Sequence, residues 1–285
     1  MSGRDLVWDV RAIFTKNENT VEELVEGLTR DQNGNNWIEP GYPYGYLRGS
    51  RSARDENGNL LINPQNGAPF NDPNDDMIGD PNPEFKLGIS NTLSYKGFQL
   101  SVLWDMTKGG DLLSETIISM LGRGVTRDTE DREKSRVIDG VYGDPNQVLG
   151  ADGKNHYVPL LVGGKPVQNQ TRITTNDLFF SPTGTGATFA TNGAAEYSVF
   201  DATAYRLREM VLAYTFPSAL VNKLNLTAVT FSVSGRNLWF LAPNTPKYMN
   251  IDPDFNSVIG ANQQGVDGGG APSTRRVGVN LNITF

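Results

Sequence analysis

The strongest constraint on the fold is an alternation of apolar and polar residues on both sides of Lys96-Gly97. The apolar positions, interrupted only at Asn91, are Phe85, Leu87, Ile89, Leu93 and Tyr95 before the dipeptide and Phe98, Leu100, Val102, Trp104 and Met106 after it. A period of two is typical of β-strands, because their successive side chains point to opposite faces. The two segments are therefore predicted to form a β-hairpin.

The register of this hairpin follows from its two-residue loop. The predicted cross-strand pairs are Tyr95 with Phe98, Leu93 with Leu100, Ile89 with Trp104 and Leu87 with Met106. In this register both apolar sets lie on one face of the hairpin. The Lys-Gly dipeptide is compatible with a type I′ turn and also with a type I turn that has Gly97 in a G1 bulge.

The same alternation predicts further strands along the chain. They cover residues 6–14, 205–216, 229–239 and 277–285, and a shorter candidate contains Tyr42, Tyr44 and Tyr46. In the segment 205–216 the apolar phase changes after Arg208-Glu209, which predicts a β-bulge at that point. About seven strands are expected in all.

The connections between these strands indicate a membrane barrel. Long loops are predicted at roughly 53–83, 108–202 and 241–274 and short turns at 96–97 and 217–225, although the link 17–43 is too long for a turn. The mean hydropathy of −0.40 is compatible with a barrel, in which only alternate strand residues are apolar. No apolar run of about 18 residues occurs, which excludes helical membrane spans. The predicted fold is an all-β, antiparallel transmembrane β-barrel segment with long extracellular loops.

Aromatic residues near the strand ends support this prediction. With the short turns on the periplasmic side, one interface is expected to hold Phe14, Tyr95, Phe98, Phe216 and Phe285, and the other Trp8, Phe85, Trp104, Tyr205 and Trp239. Two such girdles are typical of membrane barrels. The alternative for the same alternation is a soluble β-sandwich with one apolar and one polar face.

Composition argues against catalysis and against nucleic-acid binding. The net charge is −7, the chain has no cysteine, and His156 is its single histidine. We interpret His156 as a solvated loop residue, and we predict no catalytic residue, no cofactor and no metal site. Residues 31–35 and 55–59 resemble calcium loops but lack the EF-hand spacing, so Asn-Gly turns explain them better. A short helix is predicted at 111–121, with Gly122 beyond its end.

Seven segments, taken in order, resemble the SusC/RagA family of TonB-linked transporters. They run from Asn19 to Leu24, Gly41 to Gly45, Gly79 to Phe85, Leu87 to Phe98, Tyr205 to Pro217, Val233 to Leu238 and Arg275 to Phe285. Together they span nearly the whole chain. The resemblance implies that residues 1–285 supply about seven C-terminal strands of a barrel of about 22 strands, with the plug domain and the TonB-contact segment outside this sequence. The N-terminus lacks a signal peptide, so we expect the start of the protein upstream.

The resemblance also implies a location and partners. The family acts in the outer membrane of didermal bacteria and imports oligosaccharides or peptides. Its partners are a SusD-like surface lipoprotein, the TonB complex and, during insertion, the barrel-assembly machinery. For that machinery the resemblance implies a C-terminal assembly signal formed by Val279, Leu281, Ile283 and Phe285.

Candidate contact residues lie on one strand and in one loop. Arg206 and Arg208 are expected to face the lumen, where they contact an anionic substrate or, as an alternative, brace the plug or neighbouring strands. The long loop 108–202 is expected to contact a partner or substrate through Tyr142, Tyr157, Phe179 and Phe180. The alternative function is a soluble or surface β-rich carbohydrate-binding module, in which exposed aromatic residues stack on sugars.

Overall fold

Six long antiparallel strands form one sheet in a computed structural model that describes residues 6–180, 193–249, 251–254 and 263–285. The strands are β1 (Leu6–Thr15), β2 (Phe85–Tyr95), β3 (Phe98–Lys108), β4 (Ala204–Thr215), β5 (Ala228–Leu241) and β6 (Arg276–Thr284). Each strand pairs with the next one along the chain, so the sheet is an up-and-down meander. No helix in the described residues is long and apolar enough to cross a membrane.

The hairpin of β2 and β3 has the predicted register. Tyr95 faces Phe98, and Leu87 faces Met106. Lys96 and Gly97 have φ values of 45° and 87°, and positive φ at both loop residues identifies a type I′ turn, one of the two predicted turns. Glycine is needed at position 97, since a Cβ there would lie 2.7 Å from the carbonyl oxygen of Thr215.

The predicted β-bulge in β4 is confirmed at Arg208. The pairing of β4 shifts between Leu207 and Glu209 against both of its neighbours. Because one extra residue is inserted, Leu207 and Met210 both point to the same face, opposite Trp104 and Val102 of β3. Arg206 points to the other face.

The two faces of the six-stranded sheet differ in chemistry. The apolar face carries the even-numbered residues of β1 and β3 and the odd-numbered residues of β2 and β6, and Val279, Leu281 and Ile283 lie on it opposite Val233, Phe231 and Val229. Many of these side chains are exposed, as Trp8 (69%) and Val279 (73%) illustrate. The polar face carries residues such as Asp105, Arg206, Ser232 and Asn280.

The predicted seventh strand does not belong to this sheet. Tyr46–Gly49 is a strand, but it lies in a separate four-stranded sheet with Asp31–Asn33, Asn36–Ile38 and Asp76–Gly79. Tyr46 and Leu47 are both fully buried, which the alternating pattern of a lipid-facing strand does not allow. The alternation at Tyr42, Tyr44 and Tyr46 therefore predicted a membrane strand wrongly.

Because that strand is absent from the sheet, β1 crosses the sheet in the direction opposite to the predicted one. Since β1 pairs directly with β2, Trp8 lies beside Leu93 near the short turn, and the ring of Phe14 is 5.4 Å from that of Phe85. Trp8 and Phe14 thus exchange places between the two predicted girdles. The link 16–84 becomes a long loop on the same side as the other long loops, so long and short connections alternate without exception.

The three long connections, residues 16–84, 109–203 and 242–275, fold together, and we call their described part the loop layer. Its other short strands are Leu61–Ile62, Asp111–Ser114, Ser135–Val137, Val141–Tyr142, Val148–Leu149, Asn155–His156, Leu161–Val162, Lys165–Pro166, Arg172–Thr174, Val199–Asp201 and Val266–Asp267. Its largest cluster of buried residues includes Ile117, Ile173 and Leu178.

Helices are short and few among the described residues. They are α1 (Glu115–Gly122), α2 (Thr175–Phe179) and α3 (Ser218–Val221), with 3-10 turns at Arg127–Thr129, Ala195–Ser198 and Asn222–Leu224. Helix α1 begins four residues later than predicted, because Asp111–Ser114 pairs as a strand with Val199–Asp201. Its N-terminus is capped by the Ser114 hydroxyl, which accepts a hydrogen bond from the Ile117 amide.

Candidate functional site

A cluster of five charged residues joins the polar face of the sheet to the loop layer. We call it the ion cluster, and it consists of Asp105 on β3, Arg206 and Arg208 on β4, and Asp252 and Asp254 in the connection between β5 and β6. Pairing of β3 with β4 brings Asp105 next to the two arginines. The connection between β5 and β6 folds back over the sheet and adds the other two carboxylates.

Arg206 is the buried centre of the ion cluster. Its side chain is only 3% exposed, its Nε donates to Oδ1 of Asp252 at 2.8 Å, and its Nη1 lies 3.2 Å from Oδ1 of Asp105. Asp252 is also buried, with 8% of its side chain exposed. A buried guanidinium is stable only when carboxylates and further acceptors compensate for the lost water, and these two carboxylates do so.

Arg208 extends the ion cluster towards solvent. Its Nη2 donates to Oδ2 of Asp254 at 2.6 Å and lies 3.4 Å from Oδ2 of Asp105. Asp105 therefore bridges the two arginines, which lie two residues apart on β4 and so share one face of the strand. Asp252 and Asp254 are likewise two residues apart, and the Asp254 amide donates to Oδ1 of Asp252.

The charge state of Asp254 reflects this environment. Burial disfavours the charged carboxylate, but the hydrogen bond from Arg208 and the positive charges of Arg206 and Arg208 outweigh that effect. The net result is that the pKa of Asp254 is lowered from its ordinary value. Asp254 therefore carries a negative charge at neutral pH, where it can pair with Arg208.

The geometry of the ion cluster bears on the two roles predicted for the arginines. Both side chains lie on the polar face, and both are paired with carboxylates of the strand and of the loop layer. This arrangement favours bracing over contact with an anionic substrate. The bracing partners are Asp105 and the segment 251–254, which we call the strap.

A small cavity adjoins the ion cluster at the junction of the sheet and the loop layer. It has a volume of about 180 Å³, and its lining includes Lys86, Asp111, Arg206 and Asp254. Burial raises the pKa of Asp111, although the carboxylate accepts a hydrogen bond from the Asp80 amide. The lining combines polar and apolar residues, and the volume is small for an organic ligand.

The four predicted aromatic contact residues take packing positions in the loop layer. The Tyr142 hydroxyl lies 3.0 Å from Oγ1 of Thr171, and Tyr157 stacks on Phe70 with ring centroids 4.3 Å apart. Phe179 is buried in the cluster around Ile117. Phe180 packs beneath a guanidinium, with Cζ of Arg132 4.2 Å from the ring centroid. Phe179 and Phe180 share one packing group, with ring centroids 6.2 Å apart, whereas Tyr142 and Tyr157 have other partners, so the four side chains do not form one surface.

The remaining polar candidates are loop residues. Nε2 of His156 lies 3.0 Å from both carboxylate oxygens of Asp152. The carboxylate of Asp55 accepts hydrogen bonds from the backbone amides of Asn57 and Asn59, which is the turn chemistry predicted for that segment. Within the described ranges, no group of three or more histidine and acidic side chains is arranged to hold a metal ion.

Sequence reasoning identified the arginines of the ion cluster but not their partners. Asp105 could have been found by extending the strand pairing, since it lies directly opposite Arg206. For Asp252 and Asp254 the sequence carries no such signal, because no periodic pattern fixes where a long connection returns to the sheet.

Comparison with known proteins finds similarity to a TonB-dependent receptor. The chain is 23% identical over 317 aligned residues to TonB-dependent receptor P3 of Formosa agariphila, a match that covers 100% of this chain and 27% of that protein. It thus spans about a quarter of that relative's length. No model of a known protein family matches the chain.

Solved structures share the fold over the whole chain. The structure of the RagAB peptide transporter matches with a TM-score of 0.57 and 14% identity, and the RagAB peptide importer in the open-open state matches with a TM-score of 0.55 and 17% identity. These matches cover 100% of this chain and 28% and 27% of the respective RagAB chains. The shared fold and the similarity to a TonB-dependent receptor confirm the resemblance of this chain to the SusC/RagA family of TonB-linked transporters.

Proposed function

We propose that this chain forms part of the barrel wall and the outer loops of an outer-membrane, TonB-linked nutrient importer. The observation that carries the proposal is the exposed apolar face of the six-stranded sheet, backed by a polar face that holds the ion cluster. In a membrane, the apolar face contacts lipid and the polar face lines the lumen. Exposure of so large an apolar face to water would instead be unfavourable for a soluble module.

The dimensions of the sheet support a membrane location. Its strands contain 9 to 14 residues, and about 9 to 11 residues of a tilted strand span a bilayer. Among the described residues, β1 and β6 each pair with only one neighbour. Unpaired backbone groups are costly in lipid, so further strands must complete the barrel. We infer that residues 1–285 are the C-terminal part of such a barrel and that the plug domain and TonB-contact segment lie elsewhere in the protein.

The proposed mechanism is gated passage and not bond chemistry. The relatives' names describe a TonB-dependent receptor and a peptide importer, which supports import through TonB and a peptide as cargo. An oligosaccharide is the alternative cargo that the family resemblance implies. A SusD-like surface lipoprotein is the proposed outer partner. The barrel-assembly machinery is the proposed insertion partner, acting on Val279, Leu281, Ile283 and Phe285. In this proposal the loop layer makes the contacts with the partner or substrate. Four aromatic residues contribute by packing inside the loop layer and fixing its shape: Tyr142, Tyr157, Phe179 and Phe180.

Cysteine labelling tests the membrane orientation, because the chain has no cysteine of its own. Leu281 and Asn282 are neighbours on β6, opposite Phe231 and Thr230. In the complete protein in outer membranes, a cysteine at position 281 should be shielded from a water-soluble maleimide, and one at position 282 should react through the lumen. Equal reaction at both positions, as expected for a water-soluble module, would contradict the proposal.

Growth assays test import directly. A strain that lacks the gene should lose uptake of oligosaccharides or of oligopeptides supplied as the sole carbon source. Restoring the gene should restore uptake, and the TonB requirement should appear as loss of uptake when the proton gradient is collapsed. Uptake of both nutrient classes at the parental rate would refute an import function.

A further inference from the structure

The loop layer contains a groove that none of the roles above uses. Its volume is about 600 Å³, within the range of about 300 to 1,000 Å³ typical of small-molecule sites. The lining comes from α1, α2, the segment 127–136, the strand Val199–Asp201 with the turn before it, and the connection after β5. Because distant parts of the chain meet here, the shape of the groove depends on the complete fold of the loop layer.

The floor of the groove is apolar and firmly packed. Leu121 and Phe179 belong to the buried cluster around Ile117, and Phe200 packs against that cluster. Tyr248 stands at the side with 49% of its surface exposed, and Cζ of Arg127 lies 5.8 Å from the centroid of its ring. The floor therefore offers a preformed site for one apolar side chain.

The walls of the groove carry equal numbers of opposite charges. The basic residues are Arg127, Lys134 and Arg136, and the acidic residues are Asp128, Glu130 and Asp131. None of the six forms a salt bridge within the part of the chain that the structure describes. Such charges remain available to a ligand, which would replace water around them.

Asp128 has an unmet requirement for a hydrogen-bond donor. Its Oδ2 is shielded from solvent and has no hydrogen-bond partner among the described residues. A buried acceptor without a donor is unfavourable, and most such atoms in native proteins are satisfied. An N–H or ammonium group of a ligand that reaches Asp128 after a small rotation of its carboxylate would remove this penalty.

We propose that this groove binds a short peptide with free, charged ends, and this inference rests on the proposed import function. A peptide brings an ammonium group for the acidic side chains, a carboxylate for the basic ones and an apolar side chain for the floor. A neutral oligosaccharide would offer no counter-charge to any of the six charged side chains, whereas each end of the peptide pairs with one set of them. A polyanionic glycan could pair with the basic residues but would offer no ammonium group to Asp128, Glu130 and Asp131.

Binding to the purified complete protein in detergent tests this inference. The probes are three tripeptides with free ends and leucine, phenylalanine or tyrosine in the centre, the same peptides with acetylated and amidated ends, and maltotriose. Calorimetry should detect the free tripeptides, and blocking both ends should weaken binding at least about tenfold, because charge-assisted hydrogen bonds are lost. Maltotriose should not bind.

Variants locate the binding to this groove. Asp128→Asn and Arg136→Gln should each weaken tripeptide binding about tenfold, whereas Glu133→Gln, an exposed residue of the same segment outside the groove, should not change it. Heat-modifiable gel mobility must show a folded barrel in all three variants. Tripeptide binding that ignores the end charges, or equal affinities in the three variants, would overturn the proposal.

The same experiment separates this inference from the import function. If the protein takes up oligosaccharides and binds maltotriose, and if Asp128→Asn does not change that binding, the import function is supported and the peptide groove is refuted. Peptide binding that follows the predicted pattern, in a protein whose loss changes no uptake, would support the groove and refute import.

Discussion

Removing the buried carboxylate of the ion cluster should detach the strap from the sheet. The perturbation is Asp252→Ala. It deletes the partner that lies 2.8 Å from Nε of Arg206, whose side chain is 3% exposed. Arg206 then keeps Asp105 as its remaining carboxylate partner, at 3.2 Å, and the Thr107 hydroxyl at 3.4 Å.

The expected magnitude follows from this geometry. Deleting one partner of a buried ion pair costs about 3 to 5 kcal/mol, and the remaining contact with Asp105 places the loss near the lower end, about 3 kcal/mol. The strap can also leave the sheet and let water reach Arg206. Once the strap has left the sheet, Arg206 is hydrated and the penalty of its burial disappears. The loss in free energy of unfolding is therefore at most the free energy that holds the strap on the sheet. Asp254→Ala is the matched control, because Asp254 is half exposed and its pairing with Arg208 is worth at most about 1 kcal/mol.

Two measurements on the complete protein test this prediction. The denaturant midpoint should fall more for Asp252→Ala than for Asp254→Ala. Limited proteolysis should cut faster near residues 251–254 in the first variant, because a detached strap is accessible. The double variant Arg206→Met with Asp252→Leu should recover part of the loss, since it leaves no buried charge unpaired. Equal effects of the two single variants on both measurements would refute the assignment of Arg206 as the buried centre.

Four further predictions concern the sheet and its loops. Val279→Arg should cost about 2 to 4 kcal/mol near the bilayer midplane and Asn280→Arg little; denaturant midpoints measure both, and a larger loss at position 280 would contradict the assignment of faces. Deleting about 125–200 should spare barrel assembly but weaken uptake or partner capture, and unchanged values of both would count against a contact role. The pKa of Asp254 is lowered in the folded state, so its stabilisation is complete above the ordinary value of about 3.9 and is lost as pH falls through the lower folded value; cleavage of the strap by an acid-active protease should rise only in that range. Gly97→Ala should destabilise the hairpin by about 1 kcal/mol or more, because alanine rarely adopts a φ of 87°, and an unchanged midpoint would argue against the type I′ turn.

Features that depend on neighbouring residues could be predicted from the order of the amino acids. The alternation at Phe85 to Met106 was sufficient for the strands, their register and the face that each side chain takes, because the side-chain period of a strand is fixed by backbone geometry. The phase change after Arg208 was sufficient to predict the β-bulge, because one inserted residue moves all later apolar residues from odd to even positions. The choice between two hairpin turns remained open until the φ values of Lys96 and Gly97 were known.

The segments that meet across long connections became known from the folded chain and could not be predicted from local patterns. The alternation at Tyr42 to Tyr46 looks locally like that of the barrel strands. However, Tyr46 and Leu47 are both buried, and their strand lies in another sheet. Its absence from the six-stranded sheet gives β1 the direction opposite to the predicted one. The pairing of Arg206 with Asp252 and the groove walls at residues 127–136 likewise join positions far apart in the chain. No local period records such contacts, because their free energy comes from packing and charge compensation that exist only after the connections have folded back over the sheet.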